Sequence, residues 1–176
     1  MKRMFLAVAL VTLLVPASAF AQSNPFTDAA KAQFATIKNN VIRTAEKVPE
    51  DLYEFKPTPE VRSLGQLIAH IADGNFGICA AGSTMKPPMT GIEKSTGGKG
   101  KAALQKALAA SFEFCESAWA SMDATRSGEM VKTFLGNQPR FSTLQFNTSH
   151  VWEHYGNLVT YMRLKGIVPP SSEPQK

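Results

Sequence analysis

The sequence predicts an all-α protein, an antiparallel four-helix bundle that forms one domain. Four stretches carry apolar residues at intervals of three and four, the spacing of a helix with one buried face. Neither sustained period-two alternation nor a hairpin signal is found in the sequence. The length of 176 residues corresponds to a single domain. Because four amphipathic helices of similar length can bury their apolar faces against one another, a bundle is the expected architecture.

The N-terminal residues 1–21 have the features of a secretory signal peptide. Two basic residues precede the apolar run Phe5–Val15, and Ala19-Phe20-Ala21 supplies the small-x-small pattern that signal peptidase recognises. A membrane anchor is the alternative, but the run is much shorter than the roughly 20 residues that span a bilayer. We therefore expect an exported protein, periplasmic or secreted, with no stable membrane anchor and with residues 22–176 as its mature domain.

The charge of the chain argues against a nucleic-acid partner. The formal net charge is +5, and cleavage of the predicted signal peptide would remove two of the basic residues. The sequence has no basic stripe with interleaved aromatic residues, and no set of acidic residues placed for two-metal phosphoryl chemistry. We expect no nucleic-acid binding, and the sequence leaves a homodimer open.

The first two helices have recognisable start signals. Asn24-Pro25 places a capping side chain before a proline at the first helical position, and apolar residues continue at helical spacing to about Lys47. The segment Ser63-Leu-Gly-Gln66 is typical of a capping box that opens a second helix. We therefore predict one helix over about Pro25–Lys47 and a second that starts after Ser63.

Two irregular connections precede the remaining helices. Residues Gly82–Gly100 are rich in Gly, Pro, Ser, Thr and Lys, which predicts a long loop, either a lid or a mobile connection. Apolar residues at helical spacing from Leu104 to Met122 predict the third helix. After the second connection, Thr125–Phe141, the capping box Ser142-Thr-Leu-Gln145 predicts a fourth helix that continues through Lys165.

The two cysteines, Cys79 and Cys115, are expected to form a disulfide. Thiols in an oxidising compartment tend to pair, and the periodicity of the third predicted helix places Cys115 on its buried stripe. Neither cysteine lies in a Cys-x-x-Cys motif, so a redox-active pair is not indicated. The alternative is that both are small buried hydrophobic residues.

The three histidines form the strongest candidate site. His150 and His154 are four residues apart on the fourth predicted helix, which places both rings on one face within reach of one ion. His70 lies beside apolar positions of the second predicted helix. Three neutral imidazoles would leave coordination positions open, as in catalytic metal sites. The alternative is that each histidine is a hydrogen-bonded residue at the edge of the core.

Three other side chains lie near the histidines in the sequence. Glu153 is rotated by about 100° from His154 on an ideal helix, so we do not expect it to be a ligand. Asp73 either accepts a hydrogen bond from a ligand or is a solvated charge, and we favour the solvated charge. Glu153 and Tyr155 are the nearest candidates for proton transfer, but no pattern assigns a catalytic role to either.

Three segments of the chain resemble the DinB-like family of metalloenzymes. They are Lys56-Pro-Thr-Pro-Glu-Val-Arg-Ser-Leu-Gly-Gln-Leu-Ile-Ala-His70, His150-Val-Trp-Glu-His154-Tyr-Gly-Asn-Leu158 and Arg163-Leu-Lys-Gly-Ile-Val-Pro-Pro170. The resemblance covers most of the mature chain and implies a four-helix bundle in which His70, His150 and His154 hold a divalent metal ion. The chain departs from the family at Tyr155-Gly156-Asn157, where Arg-Gly-Gln is common.

The resemblance also implies a class of activity. Members of the family include transferases and isomerases that use small thiols such as bacillithiol or mycothiol. We therefore expect a metal-dependent enzyme, a hydrolase or a thiol-dependent transferase, with a small-molecule substrate or thiol as partner. Zn²⁺ is the default ion, although imidazole ligands also suit Ni²⁺, Fe²⁺ and Cu²⁺. The alternative from a different class is a non-catalytic protein that binds a metal or a small ligand on the same bundle.

Overall fold

The computed structural model describes residues 24–174, and the predicted signal peptide lies outside them. Its elements are α1 (Pro25–Lys47), α2 (Leu64–Ser83), α3 (Ile92–Thr96), α4 (Lys101–Ala120), α5 (Ala124–Gly128), β1 (Met130–Thr133), β2 (Gly136–Pro139) and α6 (Arg140–Leu164), with 3₁₀ turns at Glu50–Leu52 and Pro170–Ser172. The long helices α1, α2, α4 and α6 confirm the predicted all-α four-helix bundle. Among the described residues, no helix has both the length and the apolar character needed to cross a membrane.

The start signals of α1 and α2 act as the sequence predicts. The side-chain oxygen of Asn24 accepts a hydrogen bond from the backbone N–H of Phe26 at 3.0 Å. At α2, the Ser63 hydroxyl accepts from the N–H of Gln66 at 3.2 Å, and the Gln66 side chain accepts from the N–H of Ser63 at 2.8 Å. These caps satisfy N–H groups that the first turn of a helix leaves without partners.

The bundle places α2 between α4 and α6, and α1 packs on the opposite side against the same two helices. The pairs α2 and α6, and α1 and α4, run antiparallel. The expected antiparallel packing does not extend to α2 and α4, which run parallel. Asn75 bonds to Ser111, and Cys79 bonds to Cys115 one turn further along both helices. A parallel pair needs a connection that returns along the bundle, and residues 84–100 supply it.

The disulfide predicted between Cys79 and Cys115 is confirmed. The two residues are 5.3 Å apart between their Cα atoms, and both are fully buried in the core. The bond therefore joins α2 to α4 inside the bundle.

The second predicted connection contains a short hairpin that no sequence signal indicates. Strands β1 and β2 pair antiparallel, with Thr133 opposite Gly136. Val131 is the one buried residue in these two strands. Because a strand signal needs apolar residues at every second position, neither strand shows an apolar alternation. The turn residues are Phe134-Leu135 and not the Asn-Gly type that marks such turns. The sequence signals on which hairpin prediction depends are therefore missing here.

The predicted start of the last helix is wrong. Helix α6 begins at Arg140, directly after Pro139, and no side chain caps it. The side chain of Arg140 instead pairs with Glu129 at 2.7 Å and donates to the carbonyl oxygen of Gly82 at 3.0 Å. Ser142 thus lies inside the first turn, and its match to a capping box has no structural consequence.

Candidate metal centre

The structure brings the three predicted histidines together. The Nε2 atom of His150 lies 3.3 Å from Nε2 of His70 and 3.0 Å from Nε2 of His154. Two nitrogens that bind one tetrahedral zinc ion with bonds of about 2.0–2.1 Å lie about 3.3 Å apart. The three side chains are therefore spaced to share one ion.

Two helices hold these rings in place. His150 and His154 are one turn apart on α6, and His70 faces them from the antiparallel helix α2. The His150 ring packs directly on the backbone of α2 at Gly74, where an added Cβ would lie only 2.4 Å from its Cε1 atom. The glycine thus provides the space that this ring occupies.

Burial favours the neutral form of the α6 histidines. It lowers the pKa of His150 to about 4, and the nearby His154 and His70 rings add to this effect. Burial, followed by the proximity of His70, also lowers the pKa of His154. A neutral imidazole keeps a lone pair available near pH 7, and this is the form that binds a metal ion.

Glu93 is a neighbour of the site that the sequence alone does not indicate. Its Oε2 atom lies 3.2 Å from Nδ1 of His70, and its Oε1 atom accepts a hydrogen bond from Nε of Arg62 at 2.9 Å. Glu93 lies on α3, 23 residues after His70, in a segment without apolar periodicity. No sequence signal links the two residues, because their contact depends on the path of the connection between α2 and α4.

The other sequence candidates have different roles. The interpretation of Asp73 as a solvated charge is wrong, since its carboxylate accepts hydrogen bonds from the first two N–H groups of α3 at 2.8 and 2.9 Å. Glu153 is exposed and lies outside the group of three nitrogens. The hydroxyl of Tyr155 donates to Oγ of Ser171 at 2.9 Å. Tyr155 is therefore engaged with the C-terminal segment and not with the histidines.

A cavity of about 610 Å³ opens beside the histidines. His154 lies in its wall. The charged residues around it are Lys56, Glu60, Arg62, Glu93 and Glu153. A cavity that carries both signs of charge can accommodate a small polar molecule next to His154.

Comparison with protein-family models identifies the DinB superfamily over residues 33–158. The matched region includes all three histidines and more than half of the chain. The family predicted from the sequence motifs is therefore confirmed. A comparison with curated proteins gives no match.

Proposed function

The chain belongs to the DinB superfamily, and from this premise we propose that it is a metal-dependent enzyme that binds a divalent cation through His70, His150 and His154. The observation that carries the proposal is the separation of 3.0 and 3.3 Å between their Nε2 atoms. A single N–H can bridge only two of these nitrogens, whereas one cation can bind all three. The donor set and its spacing therefore fit a metal ion.

The donor set also favours particular ions and an open site. Imidazole nitrogens suit Zn²⁺, which is the expected ion, and also Ni²⁺ and Fe²⁺. Three protein ligands leave a coordination position for a substrate or water, which is the arrangement of catalytic zinc sites. When bound, such an ion supplies Lewis acidity and lowers the pKa of a water or thiol that it binds.

The residues of the cavity suit a small polar substrate. Arg62 is already paired with Glu93, whereas Lys56 forms no ion pair within residues 24–174 and can attract an anionic group. Glu60 can attract a cationic group in the same cavity. The reaction that we propose is hydrolysis or thiol transfer, and non-catalytic binding of a metal or small ligand is the alternative.

Metal binding is tested first on the purified protein. Elemental analysis identifies the bound ion, and chelator-treated protein is then titrated with Zn²⁺, Ni²⁺ and Fe²⁺. Replacement of His70, His150 and His154 together by alanine should abolish binding. The circular dichroism spectrum should be unchanged, because apolar stripes hold the helices together. A triple variant that binds Zn²⁺ as tightly as the parent would overturn the proposal.

Activity is tested on the metal-loaded protein. Hydrolysis of small esters or amides that disappears in the triple histidine variant would support the hydrolase. Consumption of a small thiol together with an electrophile would support the transferase. Metal binding with neither activity would favour the non-catalytic alternative.

We also infer that the protein is exported. The disulfide between Cys79 and Cys115 supports export, because disulfides persist mainly in oxidising compartments. Protein recovered from the periplasm or medium should have the mass of a chain that begins at Gln22. Recovery of an exported chain that still begins at Met1 would contradict the predicted cleavage.

A further inference from the structure

The connection between α2 and α4 is fixed against α2 at both ends of its short helix. After α3, the chain touches the start of α2, where a Cβ added to Gly65 would lie 2.0 Å from the carbonyl oxygen of Gly98. At the start of α3, the Asp73 carboxylate accepts hydrogen bonds from the first two N–H groups of that helix. Helix α3 is therefore held along α2, and Glu93 lies in its first turn.

The side chain of Glu93, whose backbone N–H bonds to Asp73, bridges two other side chains. One carboxylate oxygen accepts from Arg62 at 2.9 Å, and the other lies 3.2 Å from Nδ1 of His70. The side chains of Glu93 and His70 are each 26% exposed, so water competes only partly for this contact. Because Nε2 of His70 faces His150, Nδ1 is the nitrogen that can donate to Glu93.

We propose that Glu93 is a positioning residue of the metal centre, a role that rests on the proposed function. By accepting the Nδ1–H of His70, it sets the tautomer and the ring orientation that direct Nε2 toward the other two histidines. Asp73 acts one step further away, because it holds the N-terminus of the helix that carries Glu93. A carboxylate partner of this kind also makes an imidazole a stronger metal ligand.

His70 depends on such a partner more than the other two histidines do. The rings of His150 and His154 have Nδ1 atoms without a hydrogen-bond partner within the described residues, and His150 is confined by Gly74. His70 is the ligand that comes from a different helix, and within the described residues its polar contact away from the other rings is with Glu93. Both oxygens of Glu93 are already engaged, which argues against Glu93 as a fourth ligand.

The test compares Glu93→Ala, Glu93→Gln and Asp73→Asn with Glu153→Gln as a charge control. Glu153 lies in the same cavity wall, and Glu153→Gln removes a negative charge without removing a hydrogen bond to a histidine. The Zn²⁺ affinity of Glu93→Ala should fall by about 10–100-fold. Glu93→Gln should lose less than about 10-fold, because its amide oxygen still accepts the N–H. Asp73→Asn should lie between the parent and Glu93→Ala, and the control should change by less than about 3-fold.

Two spectroscopic measurements separate positioning from other roles. In chelator-treated protein, long-range ¹⁵N–¹H correlation spectra should show the Nδ1–H tautomer of His70 in the parent and a tautomer mixture in Glu93→Ala. With saturating Co²⁺, the visible absorption spectra of the parent and Glu93→Ala should agree, because the ligand set is unchanged.

Three results would overturn the positioning role. The first is an unchanged Zn²⁺ affinity in Glu93→Ala, and the second is an unchanged His70 tautomer. The third is an altered Co²⁺ spectrum, which would make Glu93 a ligand. If the parent binds no metal, the proposed function fails, and the tautomer measurement still decides whether Glu93 sets the orientation of His70.

Discussion

Replacement of Gly74 by alanine should disable the metal centre while the bundle stays folded. A Cβ at this position would lie 2.4 Å from Cε1 and 3.0 Å from Nδ1 of His150. Carbon atoms pack at about 3.5–4.0 Å, so the His150 ring has to move by about 1 Å. Metal–nitrogen bonds tolerate a deviation of about 0.2 Å. The displaced ring therefore no longer reaches an ion held by His70 and His154.

We expect the Zn²⁺ affinity of Gly74→Ala to fall by about 10–100-fold, which corresponds to about 1.4–2.7 kcal/mol of binding free energy. The free energy of unfolding should change less. Alanine is favoured over glycine inside a helix by about 0.5–1 kcal/mol, and this gain offsets part of the cost of moving the ring. The metal-free variant should thus have a Tm close to that of the parent.

Gly77→Ala is the matched control on the same helix. An added Cβ at Gly77 meets no atom within 4 Å, so the Zn²⁺ affinity should not change and the stability should rise by about 0.4–1 kcal/mol. The assay is a Zn²⁺ titration in competition with a chelator, with thermal melts of the metal-free proteins. The reasoning is refuted if Gly74→Ala binds Zn²⁺ within threefold of the parent, or if Gly77→Ala loses as much affinity.

Three further predictions concern the stability of the metal-free protein. Reduction of the disulfide between Cys79 and Cys115, which are 36 residues apart, should cost about 4 kcal/mol of unfolding free energy; an unchanged Tm after denaturation and refolding in reductant would contradict this. Tyr53→Phe removes a buried hydroxyl that donates to the carbonyl oxygen of Ala45 at 2.6 Å, so the urea midpoint should fall by the equivalent of about 1 kcal/mol, and an unchanged midpoint would count against it. Because the pKa of His150 is lowered from 6.5 to about 4, the unfolded chain binds a proton between these pH values that the folded chain does not. Stability should therefore decline as the pH falls from 6.5 toward 4, by about 1–2 kcal/mol after allowance for partial exposure. Melts of His150→Gln should show a smaller decline, and an equal decline would exclude His150 as the cause.

The features that follow local rules could be predicted from the sequence. Helix α1 has the bounds that Asn24-Pro25 and the apolar spacing indicate, and the capping box at Ser63 forms. The convergence of His150 and His154 follows from their spacing on one helix. Each of these features depends on residues within about one helical turn, where propensity and hydrogen-bonding geometry act directly.

The features that depend on the path of the chain could not be predicted in this way. The contact between Glu93 and His70 exists because the connection returns along α2. The same path gives Asp73 a helix start to bind, although its position on α2 alone suggested a solvated charge. Composition predicts an irregular loop over residues 82–100, but it indicates neither the helix α3 within them nor the surface that they cover.

Polar groups inside the apolar core constrain the register between α2 and α6. The Nδ2 atom of Asn147 donates to Oδ1 of Asn75 at 2.9 Å, and both side chains are fully buried. If one helix slid along the other, the hydrogen bond between these amides would break. Each buried polar group left without a partner would then cost about 1–3 kcal/mol of unfolding free energy. A slide of one turn moves a side chain by about 5.4 Å, which would separate His150 from His70. The bond from Arg140 at the start of α6 to the carbonyl oxygen of Gly82 at the end of α2 acts in the same sense. The asparagine pair therefore adds a polar constraint, beyond apolar packing, that favours the register that the metal centre needs.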